Sequence, residues 1–381
     1  MRAMNAASSR RQRGFSLVEL MVGVVIGLLT VLVITQVMTL VEGKRRTISN
    51  GSDAQVNAAL ALFTIQRDIE QSGYGATTSP DALGCTVKAQ YGTAGTAKTF
   101  TLAPVAITAG ATSTVPDSVT VLQANTTGFS APLLLTGAHT ATDDHFTVRS
   151  SFGAAVGNQM IAVPPTPDAT HWCVLFSVTN NTGAATTTLS SGNVPHVYDA
   201  SGMAQWNQNG LLPAAGYVSG SYLLNMGSMV RRTYQVSASG NLQAAEVSAT
   251  DGSVATQDLY SQIVNLKALY GKDTDGNGTV DTYESTAPVT NADWKKVLAV
   301  RIALVSRSNQ YEKEEVTSDA PLWDLGAATA TSGITVTGSA ACNGTHQCLT
   351  LGVSQVGTDW KHYRYKVYDT IVPLRNVLWN N

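Results

Sequence analysis

Residues 273 to 284 read DTDGNGTVDTYE and concentrate four carboxylates in twelve positions. Asp273, Asp275 and Asn277 occupy positions one, three and five of an oxygen-donor loop. Gly278 takes the sharp turn at six, Thr279 offers its backbone carbonyl at seven, Asp281 stands at nine and Glu284 at twelve. So many like charges repel one another unless a cation or solvent relieves them, and a ligand set made only of oxygens suits a hard ion such as Ca2+. The competing reading is a solvated acidic turn between two elements. The stretch before it, DLYSQIVNLKALYG at 258–271, sets Leu259, Ile263, Leu266 and Tyr270 at helical spacing, so an amphipathic helix is expected to enter the loop. Pro288 and the apolar run beyond it leave little room for an exiting helix to carry Glu284 back to the loop.

A second chemically charged position lies near the start of the chain. From Phe15 to Val41 the single ionisable side chain is Glu19. An acid at the bilayer centre costs roughly 2.5–3.5 kcal/mol on insertion scales. At 1.5 Å per residue the run spans about 40 Å, more than the roughly 30 Å hydrocarbon core, so one tilted membrane-spanning helix is expected. The run is too long for the apolar region of a secretory signal, and VEGKRR follows it without a small-residue cleavage site. The small residue, Gly14, precedes it. Arg2, Arg10, Arg11 and Arg13 stand before the run and Lys44, Arg45 and Arg46 after it, so charge sets the orientation only weakly.

The cysteines break that tie. Cys85, Cys173, Cys342 and Cys348 all follow the apolar run, and an even count fits disulfides on an oxidising side, with three connectivities open. Zinc needs closely spaced ligand pairs, which CNGTHQC with its one enclosed His346 does not supply. Cys342 and Cys348 enclose a five-residue loop with Asn343-Gly344, which favours local pairing and leaves Cys85 for Cys173. Catalysis finds little support. The six histidines are scattered, and neither a phosphate-binding glycine loop nor a G-x-S-x-G occurs. With 24 basic and 26 acidic residues the chain has no basic excess for nucleic acid.

These groups need positioning elements. Beyond the apolar run, TISNGSDAQ contains Asn50-Gly51, a turn-like pair that could kink or soften a helix. Helical spacing then resumes with Val56, Leu60, Phe63 and Ile69 until Gly73 and Gly75. One helix from Phe15 to about Ser72 is expected, its second half packed on a globular domain. Residues 76–257, rich in Thr, Ser, Ala and Gly, carry strand-like stretches: DSVTVLQA, DHFTVRSSF, HWCVLFSVTN and RRTYQVSASGNL. TGAATTTLSSG reads as a surface loop. VLAVRIALVSRS alternates as a half-buried strand, with Leu298, Val300, Ile302 and Leu304 on one side, and HYRYKVYDTIVPLRN closes the chain as a last strand. The fold class is α+β, a long N-terminal helix on a large β-rich domain.

The junction RGFSLVEL resembles the class III leader junction of type IV prepilins and type II secretion pseudopilins. The resemblance implies cleavage by a prepilin peptidase between Gly14 and Phe15, methylation of the new amine, and an assembly role for Glu19 as fifth mature residue. It divides the chain into a leader at 1–14, a helix at 15–72 with 15–41 in the inner membrane, and a globular domain at 73–381. Loss of the leader, with four arginines and no acid, lowers the basic count from 24 to 20 against 26 acids, a net charge of −6. TIQRDIEQSGYG, YGKDTDGNGTVDTY, WKKVLAVRIALVSRS and TIVPLRN, in that order, are similar to the PilW-type minor pilins of type IV pilus assembly. That likeness implies a pilin-like fold and a structural, non-enzymatic part in pilus initiation at a tip complex. The implied partners are other minor pilins, the major pilin and a tip adhesin. It further implies a periplasmic domain that later reaches the cell surface, with adhesion and twitching motility as dependent processes. A J-type pseudopilin of type II secretion and a singly anchored calcium-dependent adhesin are the alternatives. Residues 76–257 resemble no named family.

Overall fold

The computed structural model describes residues 14–92, 95–126, 131–179, 189, 191–196, 205–206, 211–249, 251–327, 333–336, 338–354 and 357–379. The leader expected at 1–14 lies outside these except for Gly14, and so does most of TGAATTTLSSG.

A helix runs unbroken over Leu17–Gln71, 55 residues, or about 80 Å. It passes through Asn50-Gly51 without interruption, so the expected soft spot is absent. Gly73 ends it at φ +82°, where a Cβ would also come within 2.9 Å of Thr77 Cγ2. The helix buries a different stripe from the one its large side chains suggest. Ala54, Ala58, Ala61, Ile65 and Ile69 face the domain, whereas Val56, Leu60 and Phe63 are 55, 48 and 63% exposed. Alanines let the helix axis approach the sheet closely, and the bulky residues are left outside.

The helix lies on a five-stranded central sheet in the order Gly333–Thr335, Thr282–Glu284, Ile263–Lys272, Val297–Arg307, Tyr365–Pro373. The expected helix at 258–271 is therefore corrected to two strands, Val254–Ser261 and Ile263–Lys272, joined at Gln262 with φ +69°. Ile263–Lys272 is buried at nine consecutive positions. On one face, Leu266, Ala268 and Tyr270 join Ile65, Ile69, Val300 and Ile302 under the helix. On the other, Val264 and Leu269 meet Trp323 and Leu349 of a three-stranded sheet, and Leu351 just beyond it. Val297–Arg307 is likewise covered on both faces rather than half-buried.

One charged residue inside Ile263–Lys272 survives burial because distant groups satisfy it. Lys267 Nζ donates to Asp117 Oδ1 at 2.8 Å and to the carbonyls of Thr112 and Val115 at 3.0 and 2.7 Å. Asp117 Oδ2 accepts from the Ala268 N–H at 3.0 Å. A buried pair with its hydrogen bonds filled is tolerated, although it specifies alignment more than it stabilises.

A second five-stranded sheet, antiparallel, has the order Val254–Ser261, Asn241–Val247, Val230–Val236, Ser118–Gln123, Val105–Thr108. A six-stranded sheet packs on it, ordered Lys98–Thr101, Thr86–Ala89, Cys173–Ser177, Gln159–Val163, Tyr222–Gly227, Leu133–Leu134. Val87, Leu175, Leu224, Leu122 and Met229 form the core between them. The six-stranded sheet pairs Thr86–Ala89 in parallel with Cys173–Ser177, and the Cys85–Cys173 disulfide joins the starts of those two strands. Cys342 and Cys348 close the second, local disulfide. The fold is thus α+β, one long apolar helix and a β-rich domain.

Candidate functional site

The helix supplies the first site. Leu17–Arg45 is long and apolar enough to cross a membrane, and none of it is buried. Its hydroxyls need no outside partner: Thr30, Thr35 and Thr39 donate to the carbonyls of Ile26, Leu32 and Gln36 at 2.8, 2.8 and 2.9 Å. In a bilayer, where water is missing, such internal bonding is required. Ser16 caps the helix, and Glu19 Oε2 accepts the Ser16 backbone N–H at 3.1 Å. The one carboxylate of the apolar run therefore sits one turn in, over the positive end of the helix dipole. Gly14 and Phe15 precede the helix in open surroundings.

The acidic loop supplies the second. It is a hairpin loop, entered from the strand Ile263–Lys272 and left through Thr282–Glu284, with Lys272 opposite Thr282 and Tyr270 opposite Glu284. Inside it, Asp273, Asp275 and Asp281 bring one oxygen each to within 4.8 Å of the others, an arrangement able to hold a metal ion. The backbone curls round these carboxylates because Gly276 and Gly278 adopt φ +80° and +83°. Asp273 accepts from the N–H groups of Gly276, Asn277 and Gly278 at 2.6, 3.2 and 2.7 Å. Asp281 Oδ2 accepts from Thr274 N and Oγ1 at 2.7 and 2.9 Å. Burial pushes the Asp273 carboxyl up, but those three N–H groups more than offset it and hold it below its usual value. The Thr274 N–H and hydroxyl hold Asp281 down in the same way, with burial and the Asp273 charge opposing. Both acids are thus kept in the ionised, ligating form.

Asn277 and Thr279 lie on the same loop. Asn277 Oδ1 accepts from the Thr279 N–H at 2.8 Å, and Asn277 Nδ2 donates to Asp275 at 3.0 Å. Glu284, expected as the twelfth-position ligand, stands apart. A strand rather than a helix follows the loop, so Glu284 is carried along the ladder and its carboxylate takes Lys272 Nζ at 2.5 Å. The expected helix before the loop is likewise a strand.

A third constellation escaped the sequence reading. Asp68, 3% exposed, interrupts the buried stripe of the helix. Its Oδ2 accepts from Arg232 Nη1 at 2.5 Å and from the Tyr234 hydroxyl at 2.6 Å, and Arg232 also reaches Glu246 at 2.7 Å. This network fastens the helix to the second sheet. Its signal was an acid in phase with Ile65 and Ile69.

Against this geometry stand the comparisons with known proteins. The prokaryotic N-terminal methylation motif matches residues 9–35, which include Gly14, Phe15 and Glu19. That stretch therefore carries a prepilin-type methylation motif at the head of the one long apolar helix of an α+β fold. The family described as Type IV Pilus-assembly protein W matches residues 227–376, which hold the central sheet and the acidic loop. The part of the chain from 227 to 376 is thus similar to that family, and together with the methylation motif the match supports a minor-pilin role in the type IV pilus. Residues 36–226 fall outside both matches. Among solved structures, a type IV-like pilin from Thermus thermophilus is 13% identical, covering 58% of this chain and 88% of its own, with a TM-score of 0.22. So loose a likeness carries no argument here. No curated protein matches the chain.

Proposed function

We propose that the chain is a minor pilin, a structural, non-catalytic subunit of the tip complex that initiates type IV pilus assembly. On this reading a prepilin peptidase cuts between Gly14 and Phe15 and the new amine is methylated. The helix holds the β-rich domain in the periplasm until extrusion carries it to the cell surface. Its neighbours are other minor pilins, the major pilin and a tip adhesin. The observation that carries the proposal is the fully exposed apolar helix with one carboxylate in its first turn. In a filament that helix lies among others, and Glu19 exchanges its Ser16 contact for the Phe15 amine of a neighbour. Opposite charges 4 Å apart attract by roughly 4 kcal/mol at an effective dielectric of 20, against which desolvation is set. The exposed Val56, Leu60 and Phe63 continue the apolar surface above the membrane.

Glu19→Ala tests the register role. It is expected to insert into the membrane at least as well as the parent, since the costly charge is gone. It is also expected to co-purify less with partner pilins and to reduce piliation and twitching. Equal co-purification of parent and variant contradicts the role.

The acidic loop on this reading holds Ca2+, supported by an all-oxygen donor set and three converging carboxylates. At a calcium concentration about 100 times the dissociation constant, binding adds about 2.7 kcal/mol. Unfolding of the full-length protein in detergent is expected to shift upward by roughly 5–10 °C. Magnesium, which demands tighter octahedral geometry, does much less. Asp273→Ala and Asp275→Asn abolish the response, and Glu284→Ala leaves it nearly intact. A melting temperature indifferent to calcium from micromolar to millimolar reduces the loop to an acidic hairpin turn.

A further inference from the structure

The core between the six-stranded sheet and the second sheet opens at the edge strand Lys98–Thr101 into a cavity of about 260 Å³. Leu175, Met229, Val247 and the indole of Trp206, 3% exposed, form the apolar part of its lining. Two cations stand among them. Arg231 extends from the strand Val230–Val236, and among the described residues its guanidinium has neither an ion-pair partner nor a hydrogen-bond acceptor. The guanidinium lies over the Phe100 ring, 5.0 Å from its centroid. The guanidinium is therefore flanked by an aromatic face while its N–H edges remain unspent.

Lys98 is the second cation. Its ammonium is fixed by the Gly252 carbonyl at 2.5 Å. The turn that presents this carbonyl is built for close approach. Gly252 adopts φ +67°, a Cβ there would come within 2.7 Å of Tyr91 Cβ, and Asp251 holds Ser253 by two bonds. Burial lowers the Lys98 pKa, the Arg231 charge lowers it further, and Asp251 opposes them. Burial also pushes Arg231 down. Half-buried and with no protein acceptor among the described residues, the Arg231 N–H edges are open to an anion that enters the cavity.

We propose that this cavity binds a carboxylate carried on a compact apolar body. Arg231 receives the carboxylate through its paired N–H edges, Lys98 adds a second positive charge, and the apolar body rests against Leu175, Met229 and Val247. Arginine beside a carboxylate can form two parallel charge-assisted bonds, which gives direction as well as strength. The same chemistry comes from a free small organic acid or from the C-terminus of a peptide ending in an apolar residue.

The test is calorimetric titration of the full-length protein in detergent with benzoate and with neutral, isosteric benzamide. A second pair, acetyl-Ala-Phe with a free or an amidated C-terminus, separates the two sources. Benzoate is expected to bind saturably and benzamide at least about tenfold more weakly, the loss of one charge-assisted pair. Arg231→Gln should weaken benzoate by about tenfold or more while Cys85–Cys173 stays formed and the unfolding temperature holds. Lys98→Met should weaken it by less. Peptide acid that competes with benzoate assigns the site to a chain terminus, and benzoate binding without peptide binding assigns it to a small acid. Equal binding of benzoate and benzamide overturns the proposal. So does parental benzoate affinity in Arg231→Gln, or the lack of saturable binding of either acid up to roughly 10 mM.

Discussion

Gly14→Leu is expected to leave the leader attached to every copy of the chain, whereas the parent yields a mature N-terminus at Phe15 with a methylated amine. The substitution has no packing cost, because nothing lies within 4 Å of a Cβ at Gly14 and the position precedes the helix. The effect therefore falls on the peptidase, which must bring its catalytic groups to the 14–15 bond past a small residue. Retention of the leader has two physical consequences. The Phe15 nitrogen stays an amide, so no positive amine exists for a neighbour's Glu19. Arg10, Arg11 and Arg13 also stay at the helix entrance, where they resist burial in a filament. Pilus incorporation should then be lost together with cleavage. Intact-mass and N-terminal peptide spectrometry read both forms directly. Release of Phe15 from Gly14→Leu, or a parental N-terminus beyond residue 40, contradicts this processing.

Asp68→Ala should destabilise the protein by about 3 kcal/mol, since breaking a buried pair costs more than the pair itself contributes. Tyr234, fully buried, loses the acceptor for its hydroxyl, worth about 1–3 kcal/mol by itself. Arg232 keeps Glu246, which holds the loss below the upper range for buried ion pairs. The unfolding temperature should fall by roughly 6–12 °C. Asp68→Asn retains an acceptor for Tyr234 and should lose less, and Arg67→Ala, one residue away with an exposed side chain, should change little. Protease nicking near residues 60–75 should rise with the same ranking, because the network ties the helix to the second sheet. An Asp68→Ala protein that melts within 2 °C of the parent would show that alanine and isoleucine packing alone holds the helix.

The N-terminal helix and the acidic loop were legible in the sequence because each is a local property. Twenty-seven residues with one ionisable side chain specify a helix in lipid without help from the rest of the chain. The Asp-x-Asp-x-Asn-Gly spacing bends the backbone through its own glycines and side-chain acceptors. Short-range pairing of Cys342 with Cys348 was legible for the same reason.

What only the tertiary structure decided depends on distant partners. Leu259, Ile263, Leu266 and Tyr270 fit a helical period as well as any strand, and the alternation that marks a strand vanished because both faces of Ile263–Lys272 are covered. Asn265 and Lys267 break the apolar run, yet they are buried, and the Asn265 Nδ2 and Lys267 Nζ donors reach carbonyls and a carboxylate more than 80 residues away. Glu284 matched the loop pattern but was claimed by Lys272 across a ladder that the spacing does not encode. The buried face of the helix was set by how closely the sheet approaches, which selected alanines over Val56, Leu60 and Phe63. Lys98 and Arg231 share a cavity only because two sheets stack. Local geometry is written in neighbouring residues, but the burial of a side chain depends on what the rest of the chain lays over it.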